Sequence, residues 1–443
     1  MIRTFLRVLG FIYFIAFTSF GVQASGLIGS HGILPYAPYL SGMRQALGRA
    51  AFWDVPTVFW LNSSDVALAA VWIAGAMCAL AVALGHAQRV LLTACLVLWL
   101  SLCAVGQDFL SFQWDVLLLE AGFLAIFADD SPVRIWLFRW LIFRLMMFSG
   151  LGKLLSGDPT WRGLTALSYH YQTQPLPTPL AWYIHQLPFS FQKLSTAFTL
   201  AAEILVPLLF LAPRRLRHAG AWITIALQLL ILVSGNYTFF NFLTIALCLF
   251  LFIEPKRTPR TRTHAAVSVA LVCFIGVTSG LLFLELFRVS LPPGGAAILH
   301  ATARLEIVNY YGLFTVMSTE RPEIIVEGSD DGTNWRAYEF RYKPGNLMRA
   351  PPLVEPHQPR LDWQMWFAAL GSYQQNRWFV NFMIRLLEGQ PAVLRLLQYN
   401  PFPKSPPKYI RARVFLYEFT RFGDQAWWRR EDRGIYFPAV SLK

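Results

Sequence analysis

The sequence predicts a polytopic α-helical membrane bundle of about nine transmembrane helices, followed by a β-rich, sandwich-like soluble domain with helical insertions. Three observations predict it. About nine apolar runs fill the chain from Phe5 to Phe287, and runs such as 66–84, 91–105 and 265–287 meet or approach the roughly 20 apolar residues that a helix needs to cross a bilayer. The chain is 55% hydrophobic and 15% aromatic but only 14% charged, a composition that suits lipid as solvent and not a water-soluble globule. After Pro292-Pro293-Gly294-Gly295 the apolar runs stop and the pattern becomes alternation with period two, the sign of half-buried strands.

The spans are placed at 5–23, 66–84, 89–106, 112–128, 133–151, 194–212, 219–235, 238–253 and 265–287. Basic residues of short loops favour the cytoplasmic side. With these spans, Arg3, Arg7, Arg89, Arg134, the cluster Arg214, Arg215, Arg217 and the cluster Lys256, Arg257, Arg260, Arg262 all fall on one face, which is then cytoplasmic. The long segments 24–65 and 152–193 and the tail from Arg288 fall on the other, so the chain divides into a transmembrane domain, 1–287, and an exported domain, 288–443. Arg3, Arg7, the short apolar stretch and Val22-Gln23-Ala24 also describe a cleavable signal peptide. Either outcome leaves residue 25 on the exported side.

The formal charge of +13 follows from this topology, because the basic residues lie in short loops and along a tail strand. No basic helix or RNA-binding pattern is present, so nucleic acid is not an expected partner. Cys78, Cys95, Cys103, Cys248 and Cys273 fall within apolar runs, and none has CxxC spacing. No disulfide framework, structural metal or cofactor is expected.

In the tail, 323–327 and 335–342 flank Gly328-Ser329-Asp330-Asp331-Gly332, whose Asp-Gly suits a hairpin turn. Over 409–420, Tyr409, Arg411, Arg413, Phe415, Tyr417 and Phe419 alternate with Ile410, Ala412, Val414 and Leu416, so one face is expected to carry each set. Helices are expected over 362–370 and 378–397. The Gly-Ser-x-Asp-Gly-x-x-Trp run resembles hairpins of discoidin-like β-sandwiches and reads Trp335 as a core plug.

Ionisable groups at membrane depth are costly and are paired or functional. Asp115 and Glu120 interrupt the fourth span, Arg139 and Arg144 the fifth, and Glu203 the sixth. At about 1.5 Å per residue, Glu120 lies roughly 12 Å from the cytoplasmic edge, between Arg139 at about 9 Å and Arg144 at about 17 Å. An ion pair between Glu120 and one of these arginines is the structural reading of the cluster, and a polar cavity the functional one. Where the fifth span ends, Ser149-Gly150-Leu151-Gly152-Lys153-Leu154 is followed by Trp161-Arg162-Gly163 and Tyr169-His170-Tyr171. Lys153 reads either as a snorkelling anchor or as a partly desolvated base.

Several strings resemble the lipase maturation factor family: Gly26-Leu-Ile-Gly-Ser-His-Gly-Ile-Leu-Pro35, Asp108-Phe-Leu-Ser-Phe-Gln-Trp-Asp-Val-Leu-Leu-Leu-Glu120, the run from Tyr169 to Tyr183, Gly235-Asn-Tyr-Thr-Phe-Phe-Asn241, Val308-Asn-Tyr-Tyr-Gly-Leu-Phe314, the run from Leu361 to Leu370, and Asn400-Pro401-Phe402-Pro403. The resemblance implies a membrane protein whose exported domain helps newly made lipases reach their active form. Short loops and the absence of a retention signal at Val440-Ser-Leu-Lys443 suggest a bacterial relative at the inner membrane with its C-terminal domain in the periplasm, the endoplasmic reticulum membrane being the eukaryotic equivalent. The membrane part is also distantly similar to the vitamin K-dependent γ-carboxylase, whose base lysine matches Lys153 in Gly150-Leu-Gly-Lys153-Leu-Leu before Trp161.

Two functions remain in view. In the first the protein is a non-enzymatic maturation factor, its partners client secreted proteins such as lipases and the surrounding membrane lipid, with Trp363, Trp366 and Phe367 as an exposed client-binding surface. In the second it is a membrane enzyme with Lys153 as base, aided by Asp115, Glu120 or His170. A transporter ranks third, since the chain shows neither an internal repeat nor paired broken helices.

Overall fold

The computed structural model describes residues 1–256 and 261–442; Arg257, Arg260 and Lys443 of the sequence argument lie outside the described residues. Among these, a helix stands at each of the nine expected positions: α1 (Ile2–Leu27), α2 (Asp65–Leu84), α3 (Gln88–Gly106), α4 (Gln113–Ile126), α5 (Pro132–Leu155), α6 (Phe189–Ile204), α7 (Arg214–Ser234), α8 (Phe240–Phe252) and α9 (Arg262–Leu286). Six of them, α1, α2, α3, α5, α7 and α9, are long and apolar enough to cross a membrane. The others have 14, 16 and 13 residues, or about 20–24 Å at 1.5 Å per residue, against a hydrocarbon core of about 30 Å.

Apolar runs overstate helix length here for identifiable reasons. Pro207 lacks an N–H, and the chain after α6 restarts as a separate turn, Val206–Leu209. The run leading into α4 is spent partly on a 3-10 turn, Gln107–Leu110, and α8 begins only after Thr238, whose φ is +58°.

The helix ends sort into two groups. At one end Arg134 and His264 both meet Asp129, at 2.8 and 2.7 Å, Arg217 reaches Glu254 at 2.5 Å, and Lys256 lies 3.6 Å from Asp130. The rings of Phe5, Phe138 and Phe250 pack together just inside this end. α1 then threads the bundle, and Tyr13 donates to the Leu118 carbonyl at 2.9 Å. The opposite end of the bundle carries the C-terminal domain.

In that domain β1 (Arg321–Ser329), β2 (Arg336–Ala337), β5 (Tyr409–Phe419) and β6 (Trp428–Val440) form an antiparallel sheet in the order β2-β1-β5-β6, while β3 (Glu339–Phe340) pairs with β4 (Leu397–Tyr399). The expected strand over 335–342 is therefore two short pieces, and β6 is an element the alternation did not reveal. The two sets expected on β5 do lie on opposite faces, and each face is buried over part of its length: Ile410 and Ala412 on one side, then Phe415, Tyr417 and Phe419 on the other. Each side has its own cover. Ile410 and Ala412 join the main core with Phe437, whereas Phe415, Tyr417 and Phe419 pack with Trp182, Ile325 and Trp428. Register shifts between β5 and β6 accompany the change of face. Helices α10 (Arg360–Ala369) and α11 (Arg377–Leu387) fill the long connection. The expected helix over 378–397 stops near Gly389, at φ +65°, before β4.

Candidate functional site

Two acidic residues on α4 fasten the C-terminal part to the bundle. Asp115 accepts from both Nη1 and Nη2 of Arg360 at 2.8 Å, and Arg360 also donates to the Phe109 carbonyl at 2.6 Å. Phe20, Trp99 and Phe112 flank the guanidinium. Five residues on, Glu120 pairs with Arg144 and accepts from the Asn309 backbone N–H at 3.1 Å and the Tyr311 hydroxyl at 2.7 Å. Arg144 in turn donates to the Asn309 carbonyl at 3.1 Å. All four charged side chains are buried, so each ion pair must be hydrogen-bonded on several sides to offset its desolvation.

A third buried cluster anchors the sheet. Glu323 lies between Arg321 at 2.8 Å and Lys343 at 2.9 Å, and Arg321 donates to the carbonyls of Gln172, Gln174 and Pro175 in the segment between α5 and α6.

Beneath this docked domain lies a cavity of about 600 Å³, a size usual for small-molecule sites. Its wall is mainly apolar, with Leu145, Met146, Phe198, Leu227 and Phe314 among the lining residues. The polar groups gather around Lys153. Its Nζ lies 2.7 and 2.9 Å from the two Glu203 oxygens and 5.2 Å from the centre of the Trp161 ring. Gly150 permits this pairing, because a Cβ there would lie 2.5 Å from Ile204 Cγ1 and 2.9 Å from Glu203 Cβ. α5 and α6 thus approach more closely than any side chain at position 150 allows.

His170 lines the same cavity and lies 3.1 Å through Nε2 from the Tyr237 hydroxyl, which lies 2.8 Å from Gln174 Oε1. Burial, with the Lys153 cation adding to it, lowers the His170 pKa to about 3, so the imidazole is neutral. The Tyr237 backbone N–H donates to Glu355 of the C-terminal domain at 2.6 Å. Burial raises Glu355 to about 8 despite that hydrogen bond.

The residues singled out from sequence are thus distributed over different tasks. Lys153, Glu203 and His170 come together at the cavity; Asp115, Glu120 and Arg144 belong to the docking pairs. Arg139 does not meet Glu120. It donates instead to the Phe250 and Ile253 carbonyls, which α8 leaves without intrahelical partners at its C-terminus. Lys153 turns inward and is 4% exposed, so it is not a snorkelling anchor. The aromatic surface expected on α10 is corrected too: Trp363 and Trp366 are 3% and 6% exposed, and only Phe367, at 43%, faces outward. Trp363 packs against Trp114 and Tyr237, and Trp366 donates to the Thr173 carbonyl at 2.8 Å, so these rings hold the domain to the bundle. Residues missed from sequence include Arg360, Glu355, Tyr237, Gln228 and Asn241; the last two are polar interruptions of apolar runs and were legible on that ground.

A helical bundle with candidate membrane spans, a domain of antiparallel sheets fastened across one end and a polar-headed cavity below it define an integral membrane protein with a docked C-terminal domain. Two family models match it, the lipase maturation factor transmembrane domain over residues 2–258 and the lipase maturation factor C-terminal domain over 307–438. The chain is 36% identical to lipase maturation factor 2 of Homo sapiens, covering 99% of this chain and 82% of that protein. It is 34% identical to lipase maturation factor 1 of Mus musculus, covering 99% and 86% respectively. The chain belongs to the lipase maturation factor family. No solved structure matches it.

Proposed function

We propose that this protein is a membrane-anchored maturation factor that assists the folding or assembly of exported lipases or related secreted proteins. The observation that carries the reading is that both family models lie in order on one chain, on two parts joined by buried ion pairs. A domain held in this way presents a fixed surface at one end of the bundle. In the proposed orientation the end bearing Arg134, Arg217 and Lys256 is cytoplasmic, the division falls at 287/288, and the C-terminal domain works in the periplasm of a bacterial inner membrane. Client contact runs through surface that stays open, Phe367 included, and not through Trp363 or Trp366.

A second reading, catalysis with Lys153 as base, is favoured by the inward turn of that lysine toward a cavity shared with His170. The test of the first is deletion of the gene, with abundance and specific activity compared for every exported hydrolase. Clients keep their abundance but lose specific activity; unchanged specific activity across the set refutes the reading. A reporter active only outside the cytoplasm, fused after Lys443, tests the orientation.

A further inference from the structure

We propose that a second cavity, between α1 and the C-terminal domain, holds the phosphate of an anionic phospholipid whose acyl chain lies along the outer face of α1. This goes beyond client maturation and does not depend on it.

The cavity has a volume of about 390 Å³, within the range of small-molecule sites. Its basic groups come together because β3 pairs with β4, with Phe340 opposite Leu397. That register sets Arg341 beside Arg395, 54 residues away in the chain, and Arg341 Nη2 donates to the Arg395 carbonyl at 2.9 Å. Both side chains line the cavity and are exposed. Among the described residues neither forms an ion pair, and the Arg395 guanidinium has no hydrogen-bond partner.

His357, also in the wall, adds a donor. Burial, with the Arg360 and Arg341 cations adding to it, lowers its pKa to about 4, so the ring is neutral at pH 7. The Gln358 N–H donates to Ser19 Oγ at 2.8 Å, and that oxygen lies 2.9 Å from His357 Nδ1. Among the described residues the Ser19 hydroxyl has no other acceptor, so it donates to Nδ1 and the ring proton sits on Nε2. The carboxylate of the wall, Asp362, is 2% exposed, and its Oδ1 accepts from the backbone N–H groups of Tyr342 and Lys343 at 2.8 and 2.9 Å. Two open guanidinium groups and an imidazole N–H against one buried carboxylate make a wall that takes an anion. The planar fork of arginine matches phosphate oxygens in particular.

The lipid follows from position. Val22, the exposed α1 residue in the cavity wall, is 72% exposed. It lies about 26 Å along the helix from Phe5 at 1.5 Å per residue, and Phe5 packs just inside the charged end of the bundle. Val22 therefore stands at the opposite edge of a hydrocarbon core about 30 Å thick. Phe11, 55% exposed, is about three turns away on the same face, and Phe14, Ile15 and Thr18 between them are partly exposed. An outer strip of a candidate span thus leads from the membrane interior to a basic cavity at its boundary, where anionic lipids are recruited. A free phosphate gains nothing from the strip, whereas a phospholipid uses both. Because Val22 belongs to the bundle and Arg341 and Arg395 to the C-terminal domain, the bound lipid also fastens the two parts together.

The experiment uses the full chain in phosphatidylcholine nanodiscs with a trace of phosphatidylglycerol bearing a photoreactive diazirine on its acyl chain. Labelling is expected on α1 between Phe11 and Val22. Unlabelled phosphatidylglycerol is expected to compete, phosphatidylethanolamine to compete about tenfold more weakly, and inorganic phosphate and glycerol 3-phosphate not to compete. Arg395→Gln, at a side chain that holds nothing else, is expected to lower labelling about tenfold with an unchanged melting temperature. Arg395→Lys keeps the charge and is expected to retain most of the label. The inference is overturned if Arg395→Gln labels like the parent, if phosphatidylethanolamine competes as well as phosphatidylglycerol, or if label spreads evenly over the outer helices. Competition by inorganic phosphate or glycerol 3-phosphate would overturn it in favour of a site for a free phosphate.

Discussion

Arg360 and Asp115, 245 residues apart in the chain, form a two-point ion pair with both contacts at 2.8 Å and both side chains buried. One belongs to the C-terminal domain and the other to the helical bundle, so this pair measures how firmly the two parts are joined. Asp115→Asn is expected to destabilise the protein by about 3–5 kcal/mol, because it strands the Arg360 guanidinium in an apolar setting. Asp115→Leu combined with Arg360→Met removes both charges and is expected to cost less than the single change. Thermal unfolding in detergent, with protease sensitivity of the C-terminal domain, reads the difference. A double variant weaker than the single one would show that the pair itself is strongly stabilising.

This joint also marks the limit of what the sequence revealed. Apolar runs located the nine helices α1 to α9, since side chains facing lipid or other helices need no polar face, and Asp331-Gly332 located the hairpin after β1. The number of spans was not legible, because α4 and α8, with 14 and 13 residues, are apolar through burial among other helices and not through length. Glu120 was readable as needing a cation, but nothing in spacing distinguished Arg144 from Arg139, whose guanidinium is taken by the end of α8. Arg360 was invisible as a partner, since a polar residue outside the apolar runs raises no question until a buried carboxylate is found opposite it. The aromatic run of α10 misled for a related reason: Trp363 and Trp366 are apolar because they face the bundle, a contact that composition does not distinguish from a client surface.

The close approach of α5 and α6 rests on Gly150. In Gly150→Ala the new methyl would meet Ile204 and Glu203 at 2.5 and 2.9 Å, and neither is a free chain end. Overpacking of this kind costs about 1–3 kcal/mol, and it lengthens the Lys153 to Glu203 contact. A lowered melting temperature with unchanged membrane insertion is the expected result; a variant as stable as the parent would mean that the helices separate freely.

Glu355 supplies a pH dependence. Its folded pKa is raised from 4.5 to about 8, chiefly by burial, so the folded state holds a proton that the unfolded state has released. The stability this contributes is fully present below about pH 4.5 and is lost as pH rises through about 8. Glu355→Gln keeps an acceptor for the Tyr237 N–H and cannot ionise. Relative to the parent it is expected to gain stability between pH 5 and pH 9, by an amount on the order of 1 kcal/mol or more, and to gain none at pH 4. Melting curves across that range decide it, and a gain that is flat with pH would assign the effect to packing.

Lys153 separates maturation factor from enzyme. Its Nζ is held by both oxygens of Glu203 and by the Trp161 ring, an arrangement that serves a fixed cation. Arginine preserves the charge and can engage the same carboxylate, but it does not release its proton in a protein. If the lysine holds α5 to α6, Lys153→Arg retains at least about half of the client activation, whereas Lys153→Met leaves Glu203 buried alone and lowers stability by about 3–5 kcal/mol. If the lysine is a base, both variants are inactive and Lys153→Arg is inactive while fully folded. Client specific activity, measured beside melting temperature and membrane content, distinguishes the cases. Phe367→Ser provides the complementary control at an exposed position of α10: under the maturation reading it lowers client activation without lowering stability. A folded, inserted and inactive Lys153→Arg, together with a fully active Phe367→Ser, would move the function from the docked domain to the cavity.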